Sequence, residues 1–537
     1  MIKTDICVIG AGPGGLTAAI EAKKCGAEVV LIDENQQAGG QLFKQIHKFF
    51  GSKEHQAGVR GMDIGNALLK EARELGVEIR LRTVAYGIFE DGIIGIHHID
   101  EEKLGLISAK KTIIATGAVE NALPFEGWTK PGVMGAGAAQ TLIHLYRLKP
   151  GNKIVMVGSG NVGLIVSYQL MQAGVEVVAL VEAAPKITGY MVHARKLLRA
   201  GVPIYTQTTV KEVKGEDGVE KAVLRSTAQE TQDESNHDMP LELDVDTVCI
   251  AVGLSPLAEL AHLADCEFTF NKNLGGFVPV HDKNMKTSQS DVYVAGDVAG
   301  IEEASSAMEE GRIAGISACE SLNLVSGEEL KNYKEACFTR LAGLRQAPTP
   351  GQKLAGLRQN PTADGLQQNP TSEQGLADLQ QNPIPDFTKM PGYPSQDRIL
   401  KGPVAIIECE QEIPCNPCES SCPNRAIEIG SPITKLPVLT EDSCTGCGVC
   451  VYECPGQAIF ILDKTYSEKT ALVGFPYEYF PLPSEGEQVK VVNRNGEIIG
   501  DGIVKKILHP TFANKTYAIY VEVDKKIGEE VRSIVRK

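Results

Sequence analysis

The chain has 537 residues, with 53 Lys and Arg against 68 Asp and Glu, a length that predicts three or four domains. Its 43% hydrophobic and 23% charged content with 55 Gly excludes a wholly disordered, collagen-like or small disulfide-stapled chain. The formal net charge of -15 argues against a nucleic-acid or anionic-membrane partner, either of which needs clustered Lys and Arg to displace counterions. No apolar run reaches the roughly 18 residues of a membrane span. The opening MIKTDICVIG enters strand-like sequence at once, without a basic region and cleavage site, so a cytoplasmic protein is expected.

Residues 4–10, TDICVIG, form a β-branched run ending in glycine, followed by LTAAIEAKKCG with helical spacing and by AEVVLIDE as a second strand, a βαβ unit. Gly10, Gly12, Gly14 and Gly15 occupy the strand-to-helix turn, where backbone N–H groups and a helix dipole accept a pyrophosphate. Asp33 stands at the end of the next strand, where a carboxylate takes ribose hydroxyls, with Glu34 as the adjacent alternative. His47 in QIHKFF and the pair His97-His98 before IDEEK read as packing or surface histidines.

A matching unit begins at Lys153, with Gly158, Gly160 and Gly163 in its turn and the same length from Gly158 to Glu182 as from Gly10 to Glu34. By that count Val181 occupies the place of Asp33. Glu182 comes one residue later, where a strand side chain points to the opposite face. An acid there disfavours a 2'-phosphate, so NAD is preferred to NADP. Another adenine nucleotide and an empty structural fold are the alternatives. Further on, Glu309-Glu310 before Gly311 reads as a solvated helix face. Cys7, Cys25, Cys249, Cys266, Cys319 and Cys337 are scattered and read as small buried hydrophobes, with no close cysteine partner for Cys25.

Between Leu344 and Pro383 the runs LRQAP, LRQNP, LQQNP and LQQNP recur; proline removes donors and fixes φ, which predicts a linker over 341–400. Then Cys444, Cys447, Cys450 and Cys454-Pro455 spell C-x2-C-x2-C-x3-C-P, the bacterial ferredoxin run, whose first three thiolates hold one cluster and whose fourth reaches the other. Cys409, Cys415, Cys418 and Cys422-Pro423 form an earlier half, and both halves continue CP-x2-AI. The first half departs from the pattern, with Glu412 where the leading cysteine belongs. Two 4Fe-4S clusters are expected, Cys409, Cys415, Cys418 and Cys454 on one and Cys444, Cys447, Cys450 and Cys422 on the other. A single cluster with the first site degraded, or zinc on the CxxC pairs, are the alternatives. From Glu485 onward, VKVVNR, an Asn495-Gly496 turn, EIIG and YAIYVEV carry hairpin signals.

Three further segments carry a family resemblance: Gly39-Gly40-Gln41, Ala115-Thr116-Gly117, and TSQSDVYVAGD ending in Gly296 and Asp297. With the first glycine loop, and in this order, they resemble the two-dinucleotide-binding flavoproteins over residues 1 to about 325. The resemblance implies FAD, with Gly40 and Gln41 near its pyrophosphate, Thr116 and Gly117 in a short strand-to-loop motif, and Asp297 at the ribityl-pyrophosphate region. ATGAVENALPFEGWTKPGVMGAGAAQTLIH, which holds the lone Trp128, and EGRIAGISA resemble one branch. That branch comprises the flavoprotein subunits of proline, opine and hydrogen-cyanide-forming amine dehydrogenases, related to heteromeric sarcosine oxidase. It implies a hetero-oligomer in which a partner flavoprotein oxidises the amine, with no catalytic base in this chain and with ferredoxin or another acceptor downstream. The family's disulfide reductases need two thiols beside the flavin, which the scattered cysteines do not offer.

The expected fold is α/β, with two Rossmann-like domains, the FAD domain split as 1–118 and 284–340 around a second nucleotide fold at 119–283. A ferredoxin-like α+β module at 401–470 and a small β module at 485–537 complete it. The expected function is an FAD and iron-sulfur electron-transfer subunit of an amine or imino-acid dehydrogenase acting on proline, hydroxyproline, sarcosine or an opine. An NAD(P)H:acceptor oxidoreductase resembling the small subunit of glutamate synthase, and a non-enzymatic wiring module, are the alternatives.

Overall fold

The structure is a computed structural model that describes residues 1–227, 241–345 and 385–536. Most of the Pro/Gln-rich stretch expected as a linker lies outside the described residues. The described residues fall into two compact units, Met1–Asn121 with Gly253–Ala347, and Ala122–Val252 with Pro348–Lys537. No helix among them is long and apolar enough to cross a membrane.

In the first unit the sheet runs, in spatial order, Glu78–Arg80, Val29–Ile32, Ile2–Ile9, Lys103–Ile114, Ile93–His98 and Thr83–Phe89, with Val292–Val294 also paired to the long strand. Ile2–Ile9 is parallel to both neighbours. Every residue of Val29–Ile32 is buried, as a parallel strand covered on both faces requires. Helix Pro13–Lys24 packs on helix Ala304–Ser321. A Cβ on Gly311 would lie 2.1 Å from Gly14 O, and one on Gly315 2.4 Å from Ala18 O, so the two glycines of EGRIAGISA let these backbones touch. His97 and His98 end a strand of the expected hairpin. The chain returns to this unit at Gly253, earlier than the 284 expected, because Leu254–Pro256 pairs antiparallel with Ala118–Glu120.

In the second unit a parallel sheet has the order Ile204–Tyr205, Glu176–Val181, Lys153–Val157, Thr247–Ile250 and Val133–Gly135. A seven-stranded antiparallel sheet runs Val404–Ile407, Ile459–Asp463, Thr470–Tyr477, Tyr517–Asp524, Ile498–Leu508, Gln488–Val492 and Ser533–Ile534. The cysteine-rich stretch and the C-terminal hairpins, read from sequence as two modules, thus share one sheet. One hydrophobic cluster joins that sheet to the nucleotide-type fold, with Leu170 and Leu197 in the same core as Phe460 and Ile519.

Candidate cofactor sites

The first glycine loop follows from close packing. Gly10 has φ of +106° and a Cβ there would lie 2.2 Å from Ala115 O; one on Gly15 would lie 1.8 Å from Gly10 O. Larger residues would push the loop off the neighbouring strand. Gly12 is different: a Cβ there meets nothing within 4 Å. It caps helix Pro13–Lys24 without a side-chain hydrogen bond, which leaves first-turn N–H groups facing a space where a methyl would fit. The other family segments converge on this turn. Gly39 N–H donates to Ala11 O at 2.7 Å. A Cβ on Gly40 would stand 2.7 Å from Gly12 Cα, and one on Gly14 3.3 Å from Gly296 N. Thr116 Oγ1 donates to Leu257 O at 2.6 Å, Gly117 has φ of +78°, and Gln41 and Glu34 are exposed. Asp33 accepts from Ala11 N–H at 2.7 Å through one oxygen and from Asn35 N–H and Nδ2 at 2.8 and 2.9 Å through the other, so it braces the loop. The four segments that an FAD pyrophosphate would need therefore meet at an open cradle.

Behind the cradle the acids are buried or half-buried. Burial, with Glu303 and Glu302 nearby, pushes the Asp297 carboxyl up to about 7. Glu309 and Glu310, expected on a solvated face, are both buried, because helix Glu328–Arg345 supplies their partners. Glu310 accepts from Gly296 N–H at 2.7 Å and pairs with Arg345; burial pushes it up to about 8 even so. Burial would raise Glu309 too, but hydrogen bonds from His55 and Arg340, with Arg312 beside them, hold it down to about 2. His55 carried no sequence signal. Cys25 does have a cysteine partner in space: it interacts with Cys319 across the two packed helices, which raises the Cys319 thiol. Cys25 caps the C-terminal end of its 12-residue helix, about 18 Å from the glycine loop at 1.5 Å per residue, so the pair does not lie at the cradle.

The second glycine loop repeats the first. A Cβ on Gly158 would lie 2.3 Å from Ala251 O and one on Gly163 2.1 Å from Gly158 O, while Gly160 has nothing within 4 Å. Glu182 corrects the count along the sequence. A register shift between Val177 and Ala179 inserts one residue into its strand, so that Val181 pairs with Val157 as Ile32 pairs with Ile9. The bulge turns Glu182 to the face of Asp33. It accepts from Ser159 N–H at 2.9 Å, from the Ser159 hydroxyl at 2.5 Å, from Thr188 Oγ1 at 3.2 Å and from Ala184 N–H at 2.8 Å.

The clustered cysteines form one connected neighbourhood of thiols. The thiols that act on Cys409 and Cys418 include Cys454, and Cys409 also acts on Cys418. Those acting on Cys450 include Cys444, Cys447, Cys454 and Cys422, and Cys450 acts in turn on Cys418, so the two halves adjoin. Cys409, three residues upstream of the expected position, lies near Cys454 and Cys418. Cys415 N–H donates to Ile433 O at 3.2 Å in the loop between. Cys422, Cys444, Cys447 and Cys450 line one cavity. Burial, then neighbouring sulfurs, pushes Cys409 up to about 12 and Cys418 and Cys450 upward as well. Thiolates crowded in this way are stabilised together by a cationic metal centre. Among the described residues no three His, Cys, Asp or Glu side chains converge as ligands of one ion. A cubane instead gives each thiolate its own iron corner, so its four sulfurs need not meet at a point.

The duplicated CP-x2-AI has a local meaning: Ala426 N–H donates to Cys422 Sγ at 3.2 Å and Ala458 N–H to Cys454 Sγ at 3.4 Å. Such bonds stabilise thiolate and tune a cluster's potential. Sequence reading missed three arginines here. Arg398 donates to Gly402 O, Pro403 O and Cys444 O. Arg494 and Arg532 grip Glu408, next to Cys409.

A family model for "Pyridine nucleotide-disulphide oxidoreductase" matches residues 4–311, and one for a "4Fe-4S dicluster domain" matches residues 413–458. An opine oxidase subunit of Agrobacterium tumefaciens (strain Ach5) is 28% identical over 341 residues, covering 60% of this chain and 66% of that protein. The alpha subunit of sarcosine oxidase from Corynebacterium sp. (strain P-1) is 26% identical over 379 residues, 68% of this chain and 36% of that one. The HcnB subunit of hydrogen cyanide synthase from Pseudomonas aeruginosa is 25% identical over 362 residues, 63% of this chain and 76% of that one. The chain thus spans just under two thirds of the opine oxidase relative and about a third of the sarcosine oxidase one. An FAD-type oxidoreductase domain and a 4Fe-4S domain stand in one polypeptide related to these proteins.

Proposed function

We propose, for a chain that belongs to the pyridine nucleotide-disulphide oxidoreductase family and carries a 4Fe-4S dicluster domain behind that fold, that it is the electron-transfer subunit of a heteromeric amine or imino-acid dehydrogenase. The substrate class is a secondary amine such as proline, hydroxyproline, sarcosine or an opine, oxidised on a partner flavoprotein subunit in the cytoplasm. The observation that carries the reading is the presence in one chain of an open flavin-type cradle and a stretch of eight closely spaced cysteines. Relatives named as subunits of opine oxidase, sarcosine oxidase and hydrogen cyanide synthase support it.

In this reading Gly10, Gly12, Gly14 and Gly15 bring backbone N–H groups to the FAD pyrophosphate. Asp33 holds the turn and faces the ribose, and Gly40, Gln41, Thr116, Gly117, Gly296 and Asp297 complete the wall. Cys409, Cys415, Cys418 and Cys454 hold one 4Fe-4S cluster and Cys422, Cys444, Cys447 and Cys450 the other. When bound, flavin exchanges electrons in pairs and iron-sulfur clusters exchange them singly, which is chemistry the cofactors own and the protein positions. The chain's part is to keep the cradle open, to neutralise the pyrophosphate with the helix dipole and to exclude water from the buried thiolates.

The test is reconstitution. The purified chain alone is expected to oxidise none of these amines and to do so once its partner flavoprotein is added. Full turnover by the lone chain would overturn the division of labour. Two clusters correspond to ~8 iron per chain beside one flavin, and Cys409→Ser is expected to roughly halve the iron. A second reading, an NAD(P)H:acceptor oxidoreductase, draws support from the second glycine loop, where Gly160 faces open space as Gly12 does. Rapid bleaching of the flavin by NADH in anaerobic stopped flow would favour it, and no bleaching would count against it.

A further inference from the structure

The helix Met191–Arg199 belongs to the nucleotide-type fold, yet it lies along the cysteine segments of the ferredoxin-type stretch. Its residues 192, 195, 196 and 199 are spaced to form one helical stripe. Gly456 makes the approach possible, because a Cβ there would lie 3.0 Å from Val192 Cβ. Lys196 Nζ donates to Pro455 O at 3.0 Å and Arg199 to Gln457 O at 3.1 Å, directly after Cys454. Arg195 Nε stands 3.4 Å from Glu410, directly after Cys409. At the start of the helix, Met191 N–H donates to Gln411 Oε1 at 2.7 Å. Lys196, Arg199 and Arg195 are all buried, so their charges are weakly screened.

The sequence duplication supplies an internal control. Pro455-Gly456-Gln457 after Cys454 is buried throughout, while the equivalent Pro423-Asn424-Arg425 after Cys422 is exposed throughout. Both turns share their backbone, with φ of +52° at Gln457 and +50° at Arg425. On the exposed side Arg425 faces solvent and is screened, and the buried Arg398 donates to Cys444 O. Reduction adds one negative charge to a cluster. Burial opposes that charge and adjacent cations favour it.

We infer that Lys196 and Arg199 are positioning residues of the Cys454-bearing cluster: they clamp its ligand segment and hold its reduction potential up against burial. The inference rests on the two-cluster reading above and deepens it. The test uses the full chain loaded anaerobically with iron and sulfide and titrated with dithionite. The two reduced clusters are followed by low-temperature electron paramagnetic resonance and assigned with Cys415→Ser and Cys447→Ser. Lys196→Met keeps the stem packed by Tyr168, over whose ring the amine sits at 5.1 Å, and removes the charge. The expected result is a roughly tenfold shift toward the oxidised form for the Cys454-bearing cluster alone, which is about 59 mV for one electron. Arg199→Met is expected to act in the same direction and Lys196→Arg to restore the wild-type value. Two clusters that move together, or neither moving at unchanged iron content, would overturn the inference while leaving the two-cluster reading standing. An iron-loaded chain without a second cluster signal would overturn both.

Discussion

The two glycine loops share one backbone and differ at the acid. In each, the first and third glycines are fixed by contacts that no side chain could occupy, and the middle glycine faces open space. Asp33 receives one loop N–H and two groups of Asn35. Glu182 receives four donors, two of them from Ser159 and one from the Thr188 hydroxyl. A carboxylate offers about four lone-pair sites, so a ribose at Glu182 has to displace Ser159 or Thr188, whereas Asp33 retains acceptor capacity. A shared cradle therefore does not mean a shared ligand: the second acid is committed to holding its own loop.

The largest effect expected from this difference is on stability. Glu182→Ala strands the buried donors of its loop, which costs about 3 kcal/mol. Chemical denaturation of the second unit is expected to register that loss with flavin content unchanged, and a loss of flavin instead would break the comparison. Next comes Gly12→Ala, whose methyl meets no protein atom and so strikes only a ligand. Flavin affinity is expected to fall at least tenfold, about 1.4 kcal/mol, by fluorescence titration, while the Tm of the flavin-free chain stays put. Gly160→Ala is the matched control and should leave flavin binding intact.

Ser159→Ala sharpens the contrast further. It removes one hydroxyl donor from Glu182 and should cost about 1 kcal/mol in denaturation while freeing the carboxylate, so isothermal titration with NADH should show tighter binding, if any, than wild type. A pH slope is expected in the first unit as well. Glu310 is raised to about 8 from an ordinary 4.5, so the folded chain holds a proton that the unfolded chain has released. Stability should then fall as pH rises from about 4.5 through 8. Glu310→Gln should lessen the slope of the Tm against pH profile of the flavin-free chain over that window, the remainder belonging to Asp297, which is raised to about 7, and an unchanged slope would place the titration elsewhere.

Much of the architecture was legible because it is local. The βαβ turn at Gly10 and its repeat at Gly158, the C-x2-C-x2-C-x3-C-P run and the Asn495-Gly496 hairpin each depend on neighbours in sequence. The same holds for the two CP-x2-AI turns, each of which carries its own N–H to sulfur bond. What was not legible depended on distant residues. Glu309 and Glu310 read as a solvated face because their arginine partners lie about thirty positions downstream, and Cys25 read as alone because Cys319 is 294 positions away.

Sequence by itself thus determined the two nucleotide-type turns, the cysteine spacing and the order of the modules, since backbone conformation and local spacing are set over a few residues. Only the tertiary structure decided which way Glu182 points, since one bulged residue reverses a strand's faces. It alone merged the cysteine-rich and C-terminal stretches into one sheet and laid Lys196 and Arg199 against the Cys454 turn. Those outcomes follow from which surfaces find a partner to bury against, and pairing across hundreds of residues leaves no periodic mark on either segment alone.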